Sequence, residues 1–429
     1  MSGPTSSQSD IAIGMRVYLT HSEGIGGAIK NEADDFIVDE IPILPQKKEG
    51  GRYSICKVTV RNWETNRLIR EISRRLHISR KRIGFAGTKD KKGITSQFMS
   101  FEDVDENALR SLDISDVDIQ FIQRSGRKLN IGDLWGNRFS IRIRDCDYSG
   151  ASLIDRAEAV VSELRANGGF ANFFGVQRFG SIRPNTHIVG YRIAKRDFKG
   201  AVHAYAGNPS GNESEAVRHA RTLFDEGGNP ADVLHSMPDV MVFEKMLIGH
   251  LSTHPDDYIG ALRLLPSNLL MMFIHALQAK LFNDIISMRI EQHLPLNSAI
   301  EGDIVLPADA RHLPDRDRLI TVNPTNISAV NNQISIGNGF VSGLLFGYKS
   351  VFATGPHGII EREVVRINGL NEDDFIVPEI SECTSSGSRR EILSPLTHVE
   401  ISADGNSLLL KFDLVRGSYA TSLLREIMK

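Results

Sequence analysis

Apolar positions along the 429-residue chain change period several times, and each change predicts an element. Residues 35–60 alternate in short bursts, "DFIVDEIPIL" and then "RYSICKVTV", the pattern of half-buried strands joined by a polar turn at "PQKKEGG". From Thr65 the period lengthens. Leu68, Ile69, Ile72 and Leu76 share one face, which predicts a helix over about 65–77 with Thr65 as its N-cap. "ITSQFMSF" (94–101) and "RFSIRIR" (138–144) return to the strand period. In the second, Phe139, Ile141 and Ile143 point one way while Arg138, Arg142 and Arg144 point the other. Leu153, Ala157, Val160, Val161 and Leu164 predict a helix over 151–166, stopped by Asn167-Gly168-Gly169. The first 195 residues therefore read as a mixed sheet with helices.

The middle of the chain is patterned differently. Polar breaks at 207–215 and 224–230 precede "NLLMMFIHALQAKLFNDIISMRI" (268–290), whose apolar residues recur at helical spacing. His275, Gln278, Lys280, Asn283 and Asp284 interrupt it, so a buried amphipathic helix is expected rather than a membrane span. "ISIGNGFVSGLLFG" and "VVRING" look strand-like, and "SECTSSGSRRE" (381–391) looks like a linker. The tail "HVEISADGNSLLLKFDL" has a hairpin pattern with Asp404-Gly405 as its turn, followed by a short helix. Two strands and one helix cannot fold alone, so they are expected to rejoin the N-terminal sheet and leave the middle as an insertion. The expected organisation is a disordered tail over 1–10, a domain of 11–195 plus 386–429, and an inserted domain of 196–385.

Composition is that of a globular protein, with 41% apolar and 24% charged residues. Cys56, Cys146 and Cys383 form no CxxC pair, which points to core thiols in a reducing, cytoplasmic setting. The net charge of −3 hides a local separation: residues 67–92 hold ten Lys or Arg against two acids, and 102–118 hold seven acids against one arginine. The basic run fits a solvated helix face or a phosphate-backbone footprint. Adding "RSGRK" (124–128) and the arginine face of 138–144 favours the footprint, with Arg74, Arg75, Arg80, Lys81, Arg82, Lys91, Lys92, Arg142 and Arg144 as its candidates. No GxGxxG, GxxxxGK[ST], HExxH or GxSxG pattern is present, so neither a cofactor nor a metal is expected.

Two stretches carry candidate chemistry. In "GFAGTKDKKGITSQ" (84–97), Asp90 stands among Lys89, Lys91 and Lys92, where nearby cations keep a carboxylate ionised. It suits a nucleophile or electrostatic stabiliser, and equally an Asx-type turn that organises the loop. In "ANFFGVQRFG" (171–180), adjacent aromatics sit among Asn172, Gln177 and Arg178. Flat rings beside amides and a cation suit unstacked RNA bases, while the same phenylalanines could plug a core.

These stretches resemble the signatures of the TruD-type tRNA pseudouridine synthases. Gly87, Lys89, Asp90, Thr95 and Gln97 match one motif, and "NFFGVQRFG" is similar to a second, with Phe173 at its variable position. "AIKNEADDFIVDE" (28–40) is similar to the family's N-terminal motif, with Ala33-Asp34 where many members have Pro-Glu, and "GSYATSLLREIM" (417–428) also fits. The resemblance implies an α+β protein: a pseudouridine synthase catalytic fold of mixed, mainly antiparallel sheet flanked by helices, with an inserted α/β TRUD domain. It implies isomerisation of uridine 13 of tRNA, without cofactor, membrane or protein partner. Asp90 would be the catalytic aspartate, with Lys30 as the basic residue near it. Phe174 would stack on the everted base, Asn172 would hydrogen-bond within the site, and Phe36 would help wall the pocket. Lys89, Gln177 and Arg178 complete the expected substrate-binding set, the last two by ordering their loop. A non-catalytic RNA binder would gain nothing from Asp90 among its phosphate-facing lysines, and a methyltransferase would want a glycine-rich cofactor loop.

Overall fold

The structure, a computed structural model, describes residues 6–89 and 92–429. Asp90 and Lys91, both expected site residues, lie outside the described residues. The chain divides into two compact units: Leu19–Phe170 with Ser394–Lys429, and residues 6–18 with Ala171–Leu393. The expected boundaries at 195/196 and 385/386 both fall inside the second unit. The physical reason is helix Thr186–Ala194, whose buried face packs on helix Ser267–Glu291. Residues 8–12, expected in or beside a tail, form a short helix capped by the Ser7 hydroxyl.

The first unit is built on a sheet with nine strands among the described residues. Its main path runs Thr397–Asp404, Ser407–Val415, Leu134–Cys146, Phe36–Pro42, Ile94–Glu102, Tyr53–Arg61, Val117–Ser125. Every pairing is antiparallel except Phe36–Pro42 with Ile94–Glu102. Alternation fixes the register: Phe139, Ile141 and Ile143 are buried, with Phe36 and Leu410 both opposite Ile141. Helices Gly150–Ala166 and Ala420–Met428 bury Leu153, Val160, Leu423 and Ile427 against this face. Farther along the sheet, helix Thr65–Arg75 contributes Leu68, Ile69 and Ile72 to a core with Cys56, Val58 and Phe101.

That helix corrects one expectation. Its N-cap is Glu64, whose carboxylate accepts from the N–H groups of Asn66 and Arg67 at 2.9 Å each. A carboxylate matches the positive end of the helix better than a hydroxyl. Thr65 is left to accept the Lys89 N–H at 2.9 Å.

In the second unit, helix Ser267–Glu291 runs through the core. It is not amphipathic as expected: from Ala276 to Ser287 all but Lys280 are buried. Helices Thr186–Ala194 and Gly355–Ile367 and strand Gly339–Leu345 all pack on it and enclose its middle, while Met271, Met272 and His275 nearer its start stay exposed. By length and composition this helix could cross a membrane, yet 72% of its most apolar window is buried inside the protein. An antiparallel sheet runs Ile320–Thr321, Ile304–Pro307, Gly339–Leu345, Ser388–Glu391. Two strand-like stretches are partly or wholly helical: Ile327–Ser335 reaches into the first, and "VVRING" is mostly the end of Gly355–Ile367. The expected linker 381–391 is ordered structure, ending in a strand that buries Arg389, Arg390 and Glu391 at 2% exposure each.

Candidate functional site

The motif-bearing residues fall into two groups, one in each unit. In the first unit, the chain is pinned on both sides of position 90. Lys89 is held through its backbone by Thr65 and through its ammonium by Glu40 at 2.8 Å, with the two side chains 7% and 0% exposed. Glu40 also accepts the Phe98 N–H at 3.2 Å. On the far side, Asn62 accepts the Gly93 N–H at 3.1 Å and donates its own N–H to the Gly93 carbonyl at 2.9 Å. Gly93 has φ +128°, and a Cβ there would meet the Phe36 carbonyl at 2.4 Å, so glycine is required. Lys89 thus spends its charge on an internal carboxylate, which makes it an anchor of the loop rather than a group extended toward substrate.

Lys30 sits at φ 61°, a left-handed conformation that costs a lysine roughly 1–3 kcal/mol and is held only where surrounding structure requires it. Its ammonium lies 4.0 Å from the centroid of the Phe36 ring. Phe36 is 4% exposed and meets Phe139 edge-on at 6.3 Å. The turn after Lys30 is a reciprocal cap of Glu32 and Asp35. Arg144 binds Asp35 at 2.9 Å and holds that carboxyl below its ordinary range. One expected phosphate contact is therefore committed to ordering the Lys30 loop. Arg138 is likewise forked onto Asp413 at 2.8 and 2.9 Å, whereas Arg142 makes no ion pair among the described residues.

The basic helix is more open. Arg74 and Arg75 share Glu71, and their hydrogen bonds hold its carboxyl down at about 2. Arg80, Lys81 and Lys92 are exposed, while Arg82 bonds the carbonyls of Glu102 and Asp103.

In the second unit, the "ANFFGVQRFG" segment is fixed by buried polar groups. Asn172, fully buried, donates to the Glu391 carbonyl at 3.0 Å and its carboxylate at 3.3 Å, and accepts from Arg390 at 2.7 Å. Phe174 donates its N–H to Asn283 at 2.8 Å and accepts from the same amide at 3.0 Å. Its ring, 8% exposed as a residue, has the Arg390 guanidinium 3.7 Å from its centroid and Phe282 edge-on at 5.5 Å. Arg316 forks onto Glu391 at 2.8 and 3.1 Å. Gln177 is exposed on the 3₁₀ turn Val176–Arg178, and Arg178 lies 5.7 Å from the Phe174 ring. Phe173 is buried core.

Sequence reasoning missed Glu40, Asn283, Arg316, Arg390 and Glu391. Glu40 left a signal, because the alternation that buries Phe36 and Val38 places a carboxylate at the next buried position. Asn283 left one as well, an amide interrupting an apolar helix, whereas Arg390 and Glu391 left none, since "SRRE" after a glycine resembles any polar connector. A cavity of about 530 Å³ lies elsewhere in the second unit, lined by residues that include Val305, Ile320, Val330, His312 and Asn338. None of the expected site residues lines it. Among the described residues no cluster suited to a metal occurs.

This combination of a mainly antiparallel mixed sheet with anchored lysine and aromatic loops defines a class that comparison with known proteins makes specific. The family model described as tRNA pseudouridine synthase D (TruD) matches residues 12–427. The chain is 40% identical over 423 residues to the probable tRNA pseudouridine synthase D of Methanococcoides burtonii, covering 97% of this chain and 96% of that one. It is 39% identical over 417 residues to its counterpart in Thermococcus onnurineus, with 96% and 97% covered. A Methanosarcina mazei crystal structure of the same family description superposes with a TM-score of 0.87 at 36% identity, covering 100% of this chain and 98% of that one. The chain belongs to the tRNA pseudouridine synthase D (TruD) family. It is a pseudouridine synthase, an isomerase.

Proposed function

We propose that this protein isomerises uridine 13 of tRNA to pseudouridine, with Asp90 as the catalytic carboxylate and Phe174 as the ring on which the everted base stacks. The observation that supports this most is the family match across residues 12–427, which takes in every segment bearing a candidate residue. The local geometry adds support, since the residues flanking position 90 are anchored by Thr65, Glu40 and Asn62.

The reaction cleaves the bond from C1′ to N1, turns the uracil, and joins C1′ to C5, with the C5 proton lost and N1 protonated. Atoms balance without an external group. Everting the base costs a few kcal/mol, and stacking on an aromatic ring returns about 1–3 kcal/mol. Asp90 acts in its ionised form, either by attacking C1′ or by removing a ribose proton to give a glycal. Lys30, held in a left-handed conformation, supplies the positive charge that favours the carboxylate. Arg80, Lys81 and Lys92 supply sequence-independent attraction for the phosphate backbone.

The test is to incubate the protein with an unmodified tRNA transcript and map pseudouridine by carbodiimide adducts and primer extension. A single stop at position 13 is expected. A stop elsewhere overturns the target, and no stop overturns the activity. Asp90→Asn is expected to abolish isomerisation while leaving tRNA affinity within a few-fold, and near-normal turnover would remove Asp90 from the role.

A further inference from the structure

The charged residues of strand Ser388–Glu391 play no part in the mechanism above, although one of them lies against its aromatic ring. Asn172 has two N–H hydrogens and one carbonyl, and both kinds of group are engaged inside the second unit. Its amide donates to Glu391, and its oxygen accepts from Arg390. Asn172 is also fully buried, so reaching a uracil edge would require the groups around it to open. Arg390 is 2% exposed, places its guanidinium carbon 3.7 Å from the Phe174 centroid, and is also 5.3 Å from that of Phe282. Asn283 clamps the Phe174 backbone through both its N–H and its carbonyl, but a backbone clamp leaves the ring free to rotate about its side-chain torsions. The ring plane is therefore set by what touches the ring.

We propose that Arg390 is a positioning residue that fixes the plane of the Phe174 ring for the target base, and that Asn172 serves the reaction by holding Arg390 rather than by contacting the uracil. This rests on the stacking role proposed above and assigns what makes that role possible. The guanidinium lies over the ring at 3.7 Å, so a shift of Arg390 would shift the ring plane on which the base stacks. Arginine suits the task because its planar fork can stack on a ring and donate to Asn172 at once, which an ammonium cannot do. Arg316 completes the chain by holding Glu391, which holds Asn172. Hydrogen bonds thus run in series from Arg316 through Glu391 and Asn172 to Arg390.

A double-mutant cycle on the full-length protein tests the idea, with kcat, KM and melting temperature measured for Phe174→Ala, Arg390→Met and the double variant on a tRNA transcript. Arg390→Met is expected to lower kcat roughly 10–100-fold with KM changed by less than about threefold, because a misplaced ring affects orientation more than binding. In the Phe174→Ala background the same change should cost less than about twofold. Equal penalties in both backgrounds would overturn the proposal, as would unchanged kcat in Arg390→Met. Should that variant fail to fold, Arg390→Lys replaces it in the cycle; it keeps the charge but loses the plane, and full activity would overturn the stacking claim. Asn172→Ala should not add to Arg390→Met, whereas additive losses would give Asn172 a separate role. If Phe174→Ala alone leaves kcat unchanged, the stacking reading itself has failed, and that result is distinct from the others.

Discussion

The chain contains two Arg-Arg pairs that are the same in sequence and opposite in environment. Arg74 and Arg75 end helix Thr65–Arg75 on its solvent side, with side chains 70% and 39% exposed and Glu71 shared between them. Arg389 and Arg390 lie on a strand inside the second unit at 2% exposure each. Arg389 is bound to Glu361, to the Ser342 hydroxyl at 2.8 Å and to the Val351 carbonyl at 2.8 Å. On the surface, a guanidinium contributes through long-range attraction that salt screens, and any one ion pair adds little. In the interior it must find every hydrogen bond at a fixed place, and losing one partner strands the other. Position in the fold, and not residue type, separates a binding surface from a structural clamp.

The largest expected effect follows from that contrast. Arg389→Met leaves Glu361, fully buried beside His357, without its cation, and is expected to cost about 3–5 kcal/mol of stability. Arg74→Ala should cost less than about 0.5 kcal/mol. Urea unfolding of the two variants measures both, and equal midpoints would erase the distinction.

Next comes acidity. Burial pushes the Glu361 carboxyl up, and Arg389 with His357 more than reverses this, holding it at about 2 against an ordinary 4.5. A depressed carboxyl contributes stability above its unfolded value and loses it as pH falls through its folded value. The window is therefore about pH 4.5 down to 2, and the contribution is about 3 kcal/mol. Glu361→Gln should flatten the fall in urea midpoint across that window, and an unchanged slope would separate Glu361 from acid sensitivity.

Smaller effects belong to the exposed basic residues of 74–81. Replacing Arg80 and Lys81 by alanine should lower the slope of log affinity for tRNA against log salt by about one to two units. The same change at Arg74 and Arg75 should lower it by less, since Glu71 already holds both, and a larger drop there would overturn the shared-partner account. The smallest effect is a gain: Glu71→Gln should tighten tRNA binding a few-fold at low salt and not at high salt, as a filter-binding titration would show.

Local pattern determined a good deal. Alternation identified the strands at 36–42, 53–61 and 94–102, and the helical period selected the five residues that Gly150–Ala166 buries. The family motifs stood out because they are short and rich in glycine, aromatic and charged residues. Other features were invisible, because a strand of four residues has too few positions for a period and polar ones there look like a connector. Nothing in "SRRE" states that Arg390 will meet Phe174, 216 positions earlier, or that Lys89 will find Glu40. The helix Ser267–Glu291 was recognised as a helix, while the burial of its middle depended on neighbours about 80 residues away in either direction. Sequence by itself set the local conformations and the chemical groups, since those follow from each residue and its near neighbours. Tertiary structure decided which charges face water and which are paired in the interior, because desolvation and hydrogen bonding depend on groups that only folding brings within 3 Å.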